Sequence, residues 1–468
     1  MREEEIKKME LLKNKDFSFS INSEGDYRDT WRIFRIMAEF VEGYQFLSQF
    51  KNEVTILGSA RLHHDNKYCL IARDLGKILA ENGFTVITGG GPGIMEAGNH
   101  GAHDAGGESI GINIQLPFEQ RVNEYVTKSA GFYYFFTRKV MLTSPANAFV
   151  FFPGGYGTMD EFFEIVDLMD LRKMQKLPII LVGREFWQPL IDFLRNKAVP
   201  IESVSDEIIN SWHIVETAAE AYEFIKNTKD TDVECELSPL NFRCNQKLDW
   251  KIFRIMAEMV EGFEFLTGIK NAVNVLGTKS VAPESEYYKT AYNLGKCLAA
   301  ENFTVVSGGG PGTMEAVSRG AFEVGGQAIG INMKYGYKER KNSYLTKAIG
   351  FQFPYIRKLI ITSPSTAFVF LPGGFGTLHQ LFEVLTLIET KKMEPMPILL
   401  YNHKYWEPLL AFIKQTMVHK FQTVGDSDDE LFQVVDDEAH LMDIIKEFSA
   451  KRKGRLQALQ LTNSGHED

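Results

Sequence analysis

The sequence predicts an α/β protein made of two parallel-sheet domains related by internal duplication, with helices on both faces of each sheet. Segments return along the chain at one fixed offset, strand-like and helix-like pieces alternate within each copy, and glycine-rich turns follow strands, where such folds bind ligands.

The repeat can be read directly. WRIFRIMAEFVEGYQFL from Trp31 returns as WKIFRIMAEMVEGFEFL from Trp250, an offset of 219 residues. The same offset pairs VTILGS from Val54 with VNVLGT from Val273, and GFTVITGGGPGIMEA from Gly83 with NFTVVSGGGPGTMEA from Asn302. It also pairs GGESIGINI from Gly106 with GGQAIGINM from Gly325, and FFPGGYGTMDEFFE from Phe151 with FLPGGFGTLHQLFE from Phe370. No insertion intervenes. Two domains, 31–225 and 250–448, are expected, with a lead-in over 1–30, a linker over 226–249 and a flexible tail over 449–468.

Within the first copy, VTILG reads as a strand, YCLIARDLGKILAENG as a helix ending at Gly83, FTVITG as a strand, and Met95 to about Ala105 as a helix. SIGINI is the next strand, and a helix covers much of 132–143. NAFVFF is a strand, TMDEFFEIVDLMDL a long helix, LPIILVG a strand and EFWQPLIDFLRN a helix. That rhythm implies a parallel sheet buried on both faces, with ligands at the C-terminal strand ends.

At 468 residues the chain exceeds the usual single domain. Its net charge of −10 argues against a nucleic-acid surface, although an acidic protein can still hold a phosphate pocket. Cys69, Cys235, Cys244 and Cys297 show no ligand spacing, which suits a reducing compartment. The charged N-terminus has no apolar signal core, and no run reaches the roughly 18 apolar residues of a membrane span. A cytoplasmic protein without a membrane partner is the expectation.

The chemistry gathers at AFVFFPGGYGTMDEFFE, Ala148 to Glu164. A short apolar strand breaks into Pro153, Gly154, Gly155 and Gly157, and Thr158 opens a helix. Glycines let backbone N–H groups surround an anion, and the first helical turn adds unpaired N–H groups and the positive dipole end. A phosphate fits there. Thr158 either caps the helix or gives its hydroxyl to a phosphate oxygen. Asp160, Glu161 and Glu164 fall in the first two turns, as capping acids or as groups that reach past the phosphate.

GGGPG, which holds Gly90, Gly91 and Gly93, is a second strand-to-helix turn, either a ligand loop or a turn needing glycine for its backbone angles. It matches neither the dinucleotide fingerprint nor a Walker loop. Glu96 just beyond it is a cap or a partner for sugar hydroxyls. Arg138–Lys139 recurs as Arg357–Lys358. Arginine's fork suits phosphate, and an exposed salt-bridging pair is the alternative. His63, His64, His100 and His103 lack metal-ligand spacing, so no metal site is expected. No nucleophile elbow or Ser-His-Asp set is found.

GGGPGIMEA, PGGYGTMDE and the Arg-Lys pair between them resemble the LOG (Lonely Guy) phosphoribohydrolases, long labelled lysine decarboxylases, whose hallmark is P-G-G-x-G-T-x-x-E. The resemblance covers most of each copy. It implies a Rossmann-like fold and hydrolysis of the N-glycosidic bond of a nucleoside 5′-monophosphate, without a cofactor. By position, Glu161 matches the catalytic glutamate and Arg138 the active-site arginine. Gly154, Gly155, Gly157 and Thr158 match the phosphate cradle. Glu96 or Glu164 remains for the ribose or as a second acid. The second copy keeps Arg357, Gly373, Gly374, Gly376 and Thr377 but carries Gln380 where the glutamate belongs and His379 where the first copy has Asp160. Family members dimerise, so the tandem chain is expected to form that dimer within itself, with further assembly of such pseudo-dimers open. AMP ranks first as substrate and cytokinin nucleotides second. A nucleotide sensor is the reading from another class, because the second copy keeps a pocket without the anionic group.

Overall fold

The computed structural model describes residues 30–115, 122–229, 248–335, 338–339, 341–425 and 430–463. Residues 1–29 of the lead-in and 230–247 of the linker therefore lie outside the described residues. In the first copy, β1 (Glu53–Leu57), β2 (Thr85–Thr88), β3 (Ser109–Ile114), β4 (Lys128–Phe132), β5 (Ala146–Phe151), β6 (Ile179–Val182) and β7 (His213–Val215) form one sheet in the order β4-β3-β2-β1-β5-β6-β7. Every pairing is parallel. The second copy repeats it with β8 (Ala272–Leu276), β9 (Thr304–Ser307), β10 (Ala328–Tyr335), β11 (Lys338–Glu339), β12 (Lys347–Phe351), β13 (Ser365–Phe370), β14 (Ile398–Tyr401) and β15 (Gln433–Val435). Among the described residues only the short β11 runs antiparallel, against β10.

Strand alternation decides which face joins which core. In β5, Ala148 and Val150 point to a cluster shared with Tyr68, Leu75 and Ala102, from the helices Lys67–Glu81 and Ile94–Asp104. Phe149 and Phe151 point the other way, into a cluster that runs without a break into the second copy. There the helices Tyr156–Asp170 and Phe375–Glu389 pack against each other, with the rings of Phe163 and Phe382 stacked at 5.5 Å. The helices Thr30–Leu47 and Leu248–Leu266 also meet, and Phe136 stacks on Tyr355 at 6.4 Å. Each copy thus owns one outer core, and the two share an inner one. The chain is an intrachain pseudo-dimer.

Several elements differ from the sequence expectation. The motif helix begins at Tyr156, two residues before Thr158, because Gly155 serves as the N-cap residue. β4 escapes a periodicity reading since KSAGF has no apolar run and is mostly exposed at the sheet edge. EFWQPLIDFLRN divides into a helix, Arg184–Phe193, and a π-helical turn, Leu194–Ala198. The helix Glu438–Asn463 takes in residues 449–463 of the segment expected as a flexible tail, whose last five residues lie outside the described ones. Lysine, arginine, leucine, glutamine and alanine there are good helix formers, and no proline stops them.

Candidate active site

β1 and β5 are neighbours whose chain continues in opposite directions across the sheet, so a crevice opens at their C-terminal ends. Ser59 N–H donates to the Pro153 carbonyl at 3.0 Å and ties the two loops together. Gly155 offers no side chain to the first turn of Tyr156–Asp170, so that turn's amides meet no cap from the N-cap residue. Thr158 lies inside this turn. Its Oγ1 is 2.1 Å from where a Cβ on Gly154 would stand, so the hydroxyl fills the crook of the loop.

The GGGPG loop rests on a polar frame that composition and motif did not reveal. Asn123 Nδ2 donates to the carbonyls of Gly90 and Gly91 at 3.2 and 3.0 Å and to Asn99 Oδ1 at 3.0 Å. Gly90 N–H donates to Thr88 Oγ1 at 2.9 Å. Gly93 has φ +69°, and a Cβ there would come within 2.4 Å of the Ser59 carbonyl, so only glycine serves.

Arg138 and Glu161 meet between the loops. Arg138 Nε donates to the Ile112 carbonyl at 2.9 Å and Nη1 to Glu161 Oε1 at 3.3 Å. Its Nη2 sits 2.5 Å and its Cζ 3.7 Å from the Cβ position of Gly89, so the guanidinium points end-on at the GGGPG turn. Glu161 is 8% exposed. Burial pushes its carboxyl up to about 7, even though Arg138 and Lys139 pull it down. A carboxyl at that point can hold or release a proton near neutrality. The exposed salt-bridge alternative for the Arg-Lys pair does not hold, since Arg138 is half-buried and Lys139 buried.

Arg138 is positioned from far away in sequence. Its helix, Phe135–Thr143, is capped by Glu39, which accepts from the N–H groups of Tyr133 and Tyr134 at 2.8 and 3.3 Å and from Thr137 Oγ1 at 2.5 Å. Glu258 does the same for Gln352 and Phe353 at 2.7 and 3.2 Å. The repeated MAE of the first helices is the signal that could have found both.

Glu164 turns away from this pair. Lys139 Nζ lies 2.5 Å from Asp160 Oδ2 and 3.6 Å from Glu164 Oε2. Burial pushes the ammonium down, but Asp160, Glu164 and Glu383 together hold it protonated above its ordinary range. The chain of charges crosses between copies: His379 Nε2 is 3.4 Å from Asp160 Oδ1, and His379 in turn contacts Lys358. Burial and then Lys358 push the His379 imidazole well down, so it is neutral. Glu96 stands half-buried in the first turn of Ile94–Asp104, with no bond to Arg138 or Glu161 among the described contacts.

In the second copy the arginine survives in the same pose. Arg357 Nε donates to the Ile331 carbonyl at 2.8 Å, and Nη2 lies 2.7 Å from the Cβ position of Gly308. Gly373 again shelters a threonine hydroxyl, with Thr377 Oγ1 2.2 Å from its Cβ position. Gln380 is buried, and its Nε2 has no hydrogen-bond partner among the described residues. The loops also touch across the pseudo-dimer. A Cβ on Gly155 would meet the Thr423 carbonyl at 2.6 Å, and one on Gly374 the Ser203 carbonyl at 2.1 Å. Gly376 and Gly157 face Asp167 and Thr386, respectively, from the opposite copy.

Two other features lie apart from this site. Among the described residues only His63, His64 and Asp65 gather enough ligand atoms for a metal, and all three are exposed and consecutive. A cleft of about 590 Å³ between the copies is lined by Lys197, Tyr287, Pro372, Lys404 and Asp436 and includes neither Arg138 nor Glu161.

The sequence is similar to a cytokinin riboside 5′-monophosphate phosphoribohydrolase of Rhodococcoides fascians, 29% identical over 142 residues that cover 30% of this chain and 72% of the relative. It is 31% identical over 150 residues to the rice enzyme of that name, LOG, covering 31% of this chain and 61% of the rice protein's length. The Arabidopsis thaliana protein LOG3, of the same description, is 32% identical over 144 residues, 30% of this chain and 67% of that one. Among solved structures, the molybdenum cofactor carrier protein of Chlamydomonas reinhardtii is 23% identical over 38% of this chain and 97% of its own, with a TM-score of 0.29. No helix is long and apolar enough to cross a membrane among the described residues. The sequence profile of the family described as "Possible lysine decarboxylase" matches residues 95–225 and again 314–445, more than half of the chain. The chain belongs to that family, and carries its domain twice.

Proposed function

We propose that this protein is a phosphoribohydrolase that cleaves the N-glycosidic bond of a purine nucleoside 5′-monophosphate at the first copy's site. The Arg138–Glu161 pair between two glycine loops, with the carboxyl raised to about 7, carries the reading. The 5′-phosphate takes the amides of the Gly154–Gly157 turn and the Thr158 hydroxyl, and Arg138 supplies positive charge beside it. Binding energy spent on the phosphate orients the sugar.

In the chemical step the C1′–N bond breaks, its electron pair leaving with the base, and water adds to C1′. Positive charge builds on the ribose ring meanwhile. Ionised Glu161 stabilises that charge and accepts the water's proton, and the departing base nitrogen takes up a proton. Glu96, in the first turn beyond GGGPG, is the acid left to meet ribose hydroxyls, because Glu164 is committed to Lys139. Decarboxylation fits these residues poorly. A Schiff-base lysine must be deprotonated, whereas Lys139 is held charged by Asp160 and Glu164.

The substrate reading shifts from AMP toward cytokinin riboside 5′-monophosphates, since the curated relatives carry that activity in their names. Incubating the purified chain with AMP, GMP, IMP and cytokinin riboside 5′-monophosphates, and separating free base from nucleotide, tests both levels. Release of base from the cytokinin nucleotide faster than from AMP supports the finer reading. No free base from any of them ends the proposal.

A further inference from the structure

The inner interface gives each PGGxGT loop a visitor from the other copy, and the two visitors differ. Position 167, near the end of the first motif helix, corresponds to 386 in the second by the 219-residue offset. Thr386 reaches the first copy's loop, its Cγ2 3.8 Å from the Cβ position of Gly157. Its hydroxyl is already spent on the Phe382 carbonyl at 2.7 Å, so it shows the loop a methyl group. Asp167 reaches the second copy's loop, its Oδ1 3.2 Å and Oδ2 3.7 Å from the Cβ position of Gly376.

We propose that Asp167 closes the second copy's glycine loop to phosphate monoesters, so that one chain holds a single phosphate-binding site, in the first copy, completed by Thr386. This rests on the reading of the PGGxGT turn as a phosphate cradle. A carboxylate beside the loop's third glycine sets negative charge next to the turn that would hold the dianion, and like charges a few ångströms apart repel. Asp167 is buried, 7% exposed, and cannot swing into solvent to make way. Burial pushes its carboxyl up, while Lys358, Arg357 and Lys279 favour the ionised form against the further push of Asp170. Gln380 adds a change from the second copy's own helix, a neutral amide where the first copy has the Glu161 carboxyl. The second pocket is thus altered twice, once from its own helix and once from its neighbour's.

The test is calorimetric titration with a nucleoside 5′-monophosphate in a Glu161→Gln background, which slows turnover by about 10²–10⁴-fold. One site per chain is expected there, and two after adding Asp167→Thr. Thr386→Asp in the same background should weaken the first site on the order of 100-fold for the monophosphate, and far less for the matching nucleoside. Circular dichroism and thermal melts check that both variants fold. Two equivalent sites before Asp167 is changed overturn the proposal. So does a stoichiometry that stays at one in the folded Asp167→Thr protein, or a Thr386→Asp protein with unchanged affinity. An absence of binding in the Glu161→Gln protein overturns the cradle reading, and this inference with it. A protein that binds one monophosphate yet releases no base leaves this inference supported while the hydrolase reading fails.

Discussion

The first and second copies share a backbone plan and differ in where they keep charge. Both retain the loop glycines, the arginine whose Nη2 abuts GGGPG, and the distant glutamate that caps the arginine's helix. At the motif helix they part. The first copy buries Asp160 and Glu161 where the second buries neutral His379 and Gln380. The features held in common set the shape of a pocket, and those that diverged set what happens inside it. Both copies pack into one shared inner core, whichever charges their pockets hold.

The sharpest way to break this comparison is Glu161→Gln, which gives the first copy the residue of the second. Turnover should fall by about 10²–10⁴ while nucleotide binding persists. Base release by chromatography and affinity by calorimetry check it, and wild-type turnover would remove Glu161 from the chemistry.

Arg138→Ala should lower kcat/KM by about 10²-fold, and Arg138→Lys should restore part of it, since charge survives and the fork does not. The matching change at Arg357 should cost far less in steady-state kinetics. Equal losses at both positions would mean that both pockets work.

Lys139 and Lys358 test the buried charges. Lys139→Met strands Asp160 and Glu164 without their shared cation and should destabilise the fold by about 3–5 kcal/mol in urea unfolding. Lys358→Met should cost less, because its nearest partner is a neutral imidazole. A reversed order would refute the assignment of charge.

The pH profile sharpens the role of Glu161. Its raised carboxyl must lose a proton to act as base, so kcat/KM should fall on the acid side with an apparent pKa near 7. Glu161→Gln should flatten that limb in whatever activity remains.

Smallest is the effect of the distant cap. Glu39→Ala and Glu258→Ala should each cost about 1–2 kcal/mol of stability, read by thermal melts. Only the first should also raise KM, because it loosens the helix that carries Arg138. Equal kinetic effects would show that the arginine is positioned by other means.

The duplication, the parallel sheets and the glycine loops were legible in the amino-acid order because each rests on local chemistry. An apolar run of four to six residues makes a strand, and glycine after it makes a turn no other residue can make. The motif likewise singled out Glu161, Arg138 and Gln380. Thr158 was legible as a loop residue, while its place inside the first helical turn was not, since the helix start depends on how Gly155 leaves β5. Glu39, Asn123 and Lys139 carried no local signature of their tasks. Their partners lie 94 residues from Glu39, 33 from Asn123 and in the buried helix facing Lys139.

By itself, then, the order of residues determined two α/β copies, two glycine turns in each, and one motif glutamate where the other copy has glutamine. Tertiary structure alone decided that Glu161 titrates near neutrality, because burial is a property of the packed neighbourhood and not of the residue. It alone decided that Glu164 belongs to Lys139 and that Asp167 stands at the other copy's loop. Those outcomes follow from how two sheets stack their helices around one shared core, an arrangement that brings together side chains the sequence keeps far apart.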